Sequence, residues 1–135
     1  MTSSAWLREQ VRLYFTSGKY NCAMTTLKVL TDTFEIPLHP QVLDAARMVP
    51  GAGGTGGLCG LVTGALMFVG LWGAKHHIPR AQLSPLTRGM VTEIRERFGS
   101  VQCEVLENDC SKLAVEMLGF LIPYLRQALD YHRPT

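Results

Sequence analysis

Residues 58–74 read Leu-Cys-Gly-Leu-Val-Thr-Gly-Ala-Leu-Met-Phe-Val-Gly-Leu-Trp-Gly-Ala, a stretch without a single charge. It is too long for an ordinary strand and lies at the short limit, about 17 residues, of what spans a bilayer as a helix. Glycines at 60, 64, 70 and 73, together with Cys59 and Thr63, interrupt its apolar character, and Lys75, His76 and His77 follow at once. The stretch therefore reads as a buried core helix rather than a membrane span. Interior glycine costs a helix up to about 1 kcal/mol relative to alanine. Gly60 and Gly64 are four apart and share a helix face, so close approach of another backbone is expected to compensate, either a neighbouring helix or a second copy of the chain.

Outward from this segment, the apolar spacing is helical. Leu7, Val11, Tyr14 and Phe15 form one face of a first helix that Gly18 ends. Asn21 is a suitable N-cap for a second helix, with Ala23, Leu27, Leu30 and Phe34 inward and Pro37 as its stop. Pro40 suits the first position of a short third helix carrying Val42, Leu43 and Ala46. After the apolar helix, Ser84 and Pro85 read as cap and first residue of a fifth, with Leu86, Met90, Ile94 and Phe98 inward and Gly99 at its end. Asp109 caps a last helix that opens at Cys110 and carries Leu113, Met117, Phe120, Leu121 and Leu125; Pro123 is expected to kink or split it. The tail, His132 to Thr135, is expected to fray. No segment alternates with period two. The expectation is an all-α single domain over residues 1–135, a compact bundle of about five to six helices around the apolar glycine-rich one.

Composition narrows the function. The 135 residues include 13 Lys and Arg against 11 Asp and Glu, a net charge of +2, with the basic residues dispersed. That excludes a nucleic-acid face. The opening MTSSAWLREQVRLYF lacks a basic region followed by an apolar core, so no export signal is read and a reducing, cytoplasmic compartment is expected. There, structural disulfides are rare, and cysteines more often bind metal or cycle between redox states.

Four cysteines, Cys22, Cys59, Cys103 and Cys110, carry the strongest chemical signal. Three of them, Cys22, Cys59 and Cys110, fall where helices are expected to start, and a helix N-terminus favours thiolate over thiol. Two readings stand: four unrelated core cysteines, or a set that converges on one site. Other motifs are weaker. Gly51, Gly53 and Gly56 spell G-x-G-x-x-G, but after a helical pattern rather than a strand, and no Gly-Lys-Ser/Thr closes the loop, so neither a dinucleotide fingerprint nor a P-loop is present. No C-x-x-C occurs, which removes zinc-ribbon and thioredoxin-type spacings. His39, His76, His77 and His132 read as surface residues. Met24, Met48, Met67, Met90 and Met117 read as core filler. The carboxylates form no acid/base dyad, and no Ser or Thr sits in a nucleophile elbow.

Taken together, Tyr20-Asn21-Cys22-Ala23, the glycine run, Cys59-Gly60-Leu61-Val62-Thr63-Gly64-Ala65-Leu66-Met67, Glu96-Arg97-Phe98-Gly99-Ser100-Val101-Gln102-Cys103 and Cys110 resemble a family of small redox-active proteins with cysteines in the order C, CGAxxG, C, C. The resemblance spans about Gly18 to Leu121. It implies an all-helical domain whose function rests on Cys22, Cys59, Cys103 and Cys110. The sequence is also similar to the iron–sulfur domain of split-Soret cytochromes, although no C-x-x-C-H haem motif is present. Leu61 stands where the family motif has alanine, and the Cys103–Cys110 connection is shorter than in many relatives.

The expected function is electron transfer by an iron–sulfur cluster, of the [2Fe–2S] type, held by the four cysteines as metal ligands. Its rivals are thiol–disulfide chemistry without a cofactor, and a zinc-stabilised or purely structural interaction module. A redox partner protein of unknown identity is implied. A homodimer is plausible through the glycine face. Whether the chain is an enzyme stays open.

Overall fold

The computed structural model describes residues 3–106 and 109–132. They form seven helices: α1 (Ser4–Thr16), α2 (Cys22–Thr33), α3 (Pro40–Ala45), α4 (Gly51–Gly54), α5 (Gly60–Lys75), α6 (Arg80–Phe98) and α7 (Cys110–His132). Among the described residues there is no strand, only an isolated antiparallel bridge between Leu58 and Gln102. The all-α expectation holds.

The uncharged stretch is the core helix. Leu61, Val62, Ala65, Phe68, Val69 and Trp72 of α5 are all nearly inaccessible. Burying each large side chain contributes about 1.5–3 kcal/mol. Among the described residues, no helix is long and apolar enough to cross a membrane. The glycine face is used within the chain. A Cβ on Gly64 would stand 2.5 Å from the Ala23 carbonyl oxygen and 3.0 Å from the Thr26 Cβ, and a Cβ on Gly60 would collide with the Cys22 sulfur. Helix α2 thus fills the face that suggested self-packing. Gly70, by contrast, has nothing within 4 Å of where its Cβ would be.

Helix directions follow from these contacts. The start of α2 meets the start of α5, and Phe34 at the end of α2 meets Phe68 further along α5, ring centroids 5.2 Å apart. Arg126, late in α7, stacks on Phe34 at 5.2 Å. So α2, α5 and α7 run the same way, all starting at one pole. Helices α1 and α6 run back: Ser3 and Leu7 share a groove with Phe34, Trp72 and Leu129 at the far pole, and Leu83 of α6 packs on Gly73 at the end of α5.

Most helix ends match the sequence reading. The Asn21 side chain accepts from the Met24 amide at 2.9 Å, and Gly18 and Gly99 take positive φ at the ends of α1 and α6. Two expectations fail, and of the kink or split expected at Pro123 the split does not occur. Helix α6 begins at Arg80, with Pro85 inside it rather than at its start. Burial of Leu83 against Gly73 draws the extra turn in, and the lost proline hydrogen bond falls on exposed Ala81, where water can replace it. Helix α7 runs through Pro123 as one 23-residue element; the unbonded carbonyl is that of exposed Gly119. Met48 is 73% exposed and is not core filler. In the tail, His132 closes α7, and residues 133–135 lie outside the described residues.

Candidate functional site

The shared pole of α2, α5 and α7 is where the cysteines are. Cys22 is the first residue of α2, Cys59 the N-cap of α5, and Cys110 the first residue of α7. Cys103 lies in the turn after α6. The main chain ties this turn to the start of α5. The Cys59 amide donates to the Val101 carbonyl (2.8 Å) and the Cys103 amide to the Gly57 carbonyl (2.7 Å), on either side of the Leu58–Gln102 bridge. A short β-type pairing therefore sets Cys59 against Cys103. Period-two alternation could not reveal it, because one bridge is too short to show a period.

The glycine run folds over the same pole. Gly51, Ala52 and Gly53 have φ of +60, +52 and +78°, a left-handed turn that only glycine enters without cost. The Gly51 carbonyl accepts from the Thr55 and Gly57 amides, and the Gly51 amide donates to the Leu58 carbonyl. Its Cα faces Cys103; a Cβ there would rest 3.6 Å from the Cys103 sulfur. Pro50 and the Cys22 sulfur both press on Gly60. The loop is a structural cover for the cysteines, consistent with its failure to match a nucleotide motif.

Asn21 links the α2 cap to this cover. Besides capping through Oδ1, its Nδ2 donates to the Arg47 carbonyl at 2.7 Å and the Ala46 carbonyl at 3.4 Å. The cap was legible in the sequence; the second bond was not, since nothing local marks a contact across that distance in the chain. Asn21→Ala is expected to lose about 1–2 kcal/mol in urea unfolding. Asn21→Asp keeps the cap and loses the donor, so it should lie between Asn21→Ala and wild type. Equal stability of all three proteins would disprove the linkage.

The four thiols act on one another. Charge on Cys59, Cys110 or Cys103 raises Cys22; Cys103 and Cys110 raise Cys59; Cys103 raises Cys110. Every pair is within electrostatic reach. All four are free thiols, Cys59 buried, Cys22 half-buried, Cys103 and Cys110 exposed. Among the described residues, no three His, Cys, Asp or Glu side chains stand close enough to enclose a metal ion as they are placed.

The expectation of lowered thiol pKa values at helix starts is overturned. Burial, then the neighbouring sulfurs, pushes Cys22 up to about 12, although the Ala23 amide opposes it. Burial likewise raises Cys59 against the Leu61 and Val62 amides, and raises Cys110, with Cys103 and Asp109 adding to it. Helix-terminus effects of about 0.3–1 kcal/mol are smaller than the desolvation of a sulfur anion. At neutral pH Cys22 is therefore held as the thiol. Left alone, Cys22, Cys59 and Cys110 favour the thiol, and the helix N-termini oppose this only in part.

Comparison with known proteins agrees with the cysteine framework. A family model described as "Putative redox-active protein (C_GCAxxG_C_C)" matches residues 20–121, and the chain belongs to that family. The matched segment begins just before Cys22 and runs past Cys110. No curated protein and no solved structure matches the chain significantly.

Proposed function

We propose that this member of the redox-active four-cysteine family is a small electron carrier that binds an iron–sulfur cluster through Cys22, Cys59, Cys103 and Cys110. One observation carries the reading: four free thiols from four separate segments are gathered at one pole and within each other's electrostatic reach, under three helix starts. Four cysteines are the donor set that [2Fe–2S] and [4Fe–4S] clusters use. The donor set fits. Burial makes each of Cys22, Cys59 and Cys110 unfavourable as a lone thiolate and mutual repulsion makes several together worse, and an iron cation would offset both. When bound, such a cluster exchanges one electron at a time.

The chain's own residues do the rest. Pro50 and the left-handed turn shield one side of Cys22 and Cys103, the Leu58–Gln102 pairing fixes the backbone of Cys59 and Cys103, and the Leu61 and Val62 amides draw the Cys59 sulfur toward the anion. Cys103 and Cys110, the exposed pair, form the side open to an electron donor or acceptor.

That exposed pair also supports a second reading, reversible disulfide formation between Cys103 and Cys110 without a cofactor. One experiment separates them. Anaerobic reconstitution with iron and sulfide is expected to give a brown protein with stoichiometric iron and acid-labile sulfide, and each single Cys→Ser variant should lose most of it. A colourless wild-type protein whose thiol count falls by two on mild oxidation would replace the cluster with the disulfide. Four free thiols under both conditions, with no iron, would remove both, and bound zinc without sulfide would leave a structural metal.

A further inference from the structure

The long helices of this chain carry charge where they face solvent: Arg12 on α1, Asp32 on α2, Glu93 on α6 and Glu116 on α7 are all exposed. Helix α5 differs. It has no charge from Gly60 to Ala74, yet one side of it is uncovered. Thr63, Leu66, Met67 and Leu71 are half-buried, and Gly70 and Ala74 are exposed. At about 3.6 residues per turn these six form a single stripe. A helix that is apolar all round belongs where its whole circumference is covered. Within one chain this stripe is left bare; it is not the Gly60–Gly64 face, which α2 fills.

Three features of the stripe fit a second copy of the same chain. Thr63, Met67, Gly70 and Ala74 are spaced four, three and four apart, the period with which two helices seam together. The stripe is also symmetric about a point between Phe68 and Val69. Thr63 stands as far before that point as Ala74 stands after it, and the same holds for Leu66 with Leu71 and Met67 with Gly70. A two-fold axis there runs the helices antiparallel and sets Met67 level with the partner's Gly70. Residue i then meets j while j meets i, the reciprocity of an isologous interface. Finally, there is space for the knob. Nothing lies within 4 Å of where a Gly70 Cβ would be, and a groove of about 500 Å³ runs beside Gly70 and Ala74, with Ser84 and Thr87 of α6 as its other wall.

We propose that the chain forms a two-fold dimer through this stripe, with antiparallel α5 helices crossing near Phe68 and Val69. Met67 of each copy fills the gap at the partner's Gly70, and Leu66 and Leu71 close the flanks. Alanine at position 70 would add one methyl opposite a flexible methionine and leave the seam usable. Because α5 starts at the cysteine pole, antiparallel pairing puts the two poles at opposite ends, so Cys103 and Cys110 stay open in both copies. The dimer is independent of what the cysteines bind.

The test is sedimentation equilibrium of the reduced, metal-free full chain at roughly 200 μM, where even a weak interface is occupied. Wild type is expected at twice the 14.9 kDa of one chain. Gly70→Glu puts a carboxylate into the apolar seam from each side and should raise the dissociation constant about 100-fold or more. Its fold should be kept, since position 70 is open; Ala74→Glu, also at an exposed position, gives a second reading of the same face. Gly119→Glu is the matched control, an equally open glycine on α7 outside the seam, and should remain a dimer. Wild type that sediments as a monomer overturns the proposal; if that monomer floats with phosphatidylcholine vesicles, the stripe faces lipid instead. A dimer that survives both Gly70→Glu and Ala74→Glu, or that Gly119→Glu breaks equally, also overturns it. Iron and sulfide uptake per chain should be the same in Gly70→Glu and wild type, so failure of the cluster reading and failure of the dimer are told apart.

Discussion

Replacing Gly64 with valine is expected to cost about 3 kcal/mol or more in urea unfolding, a large part of the ~5–15 kcal/mol that stabilises a domain. The reason is backbone against backbone. A Cβ at this position would stand 2.5 Å from the Ala23 carbonyl oxygen and 3.3 Å from its carbon, and no side-chain rotation can move either. Helix α2 would have to withdraw from α5, opening the seam packed by Leu27, Leu30 and Phe68, all fully buried. The same withdrawal moves Cys22 away from Gly60, so iron uptake should fall along with stability. Gly64→Ala gains some helix propensity and loses less. Gly70→Ala is the control, since nothing lies within 4 Å of its Cβ direction; it should be more stable than wild type by about 0.5–1 kcal/mol. Unfolding of Gly64→Val and Gly70→Ala at the same urea concentration would show that close packing does not explain the glycines of α5.

How far the sequence could be read depended on the range of the interaction. Asn21, Gly18 and Gly99 act within a few residues of themselves, and the structure uses each as the local pattern predicts. The uncharged run of α5 marked a core helix because its hydrophobicity continues all round, which implies burial on most sides. Pro85 misled because a proline early in a helix costs little when its orphaned carbonyl is exposed; the helix start was set by Leu83 finding Gly73, a contact no local rule contains. Met48 misled because methionine was read by type rather than by face. At the cysteine pole, helix-start placement identified three of the four positions. It gave the wrong sign for the pKa shifts, because desolvation depends on what covers a sulfur, and the cover comes from Pro50, Gly51 and α2 neighbours distant in sequence.

That sign has a consequence for the whole protein. Raising the pH from about 9 toward 12 is expected to destabilise the reduced, metal-free chain through its cysteines. Cys22 has an ordinary pKa of 9.0 when unfolded and is pushed up to about 12 in the fold, chiefly by burial. A group raised on folding keeps its proton in the native state while the unfolded chain releases it. Its contribution is intact below the unfolded value and is lost as pH rises through the native one. Three units correspond to ~4 kcal/mol at the limit. Half-burial reduces this to on the order of 2 kcal/mol. Cys59 and Cys110 shift in the same direction. Tyr14, also raised to about 12 by burial and then Asp32, adds a loss that starts one unit later, from its ordinary 10.0. Cys22→Ala separates the two: it should keep the tyrosine part of the alkaline slope and lose much of the rest. Bound metal should invert the cysteine part, because a cation takes the thiolate form and its affinity rises as protons leave. Urea midpoints measured from pH 8 to 11, with and without iron and sulfide, test this directly. A slope that Cys22→Ala leaves unchanged would mean the Cys22 thiol is as solvated in the fold as in the unfolded chain, and that the cover over the cysteine pole is open.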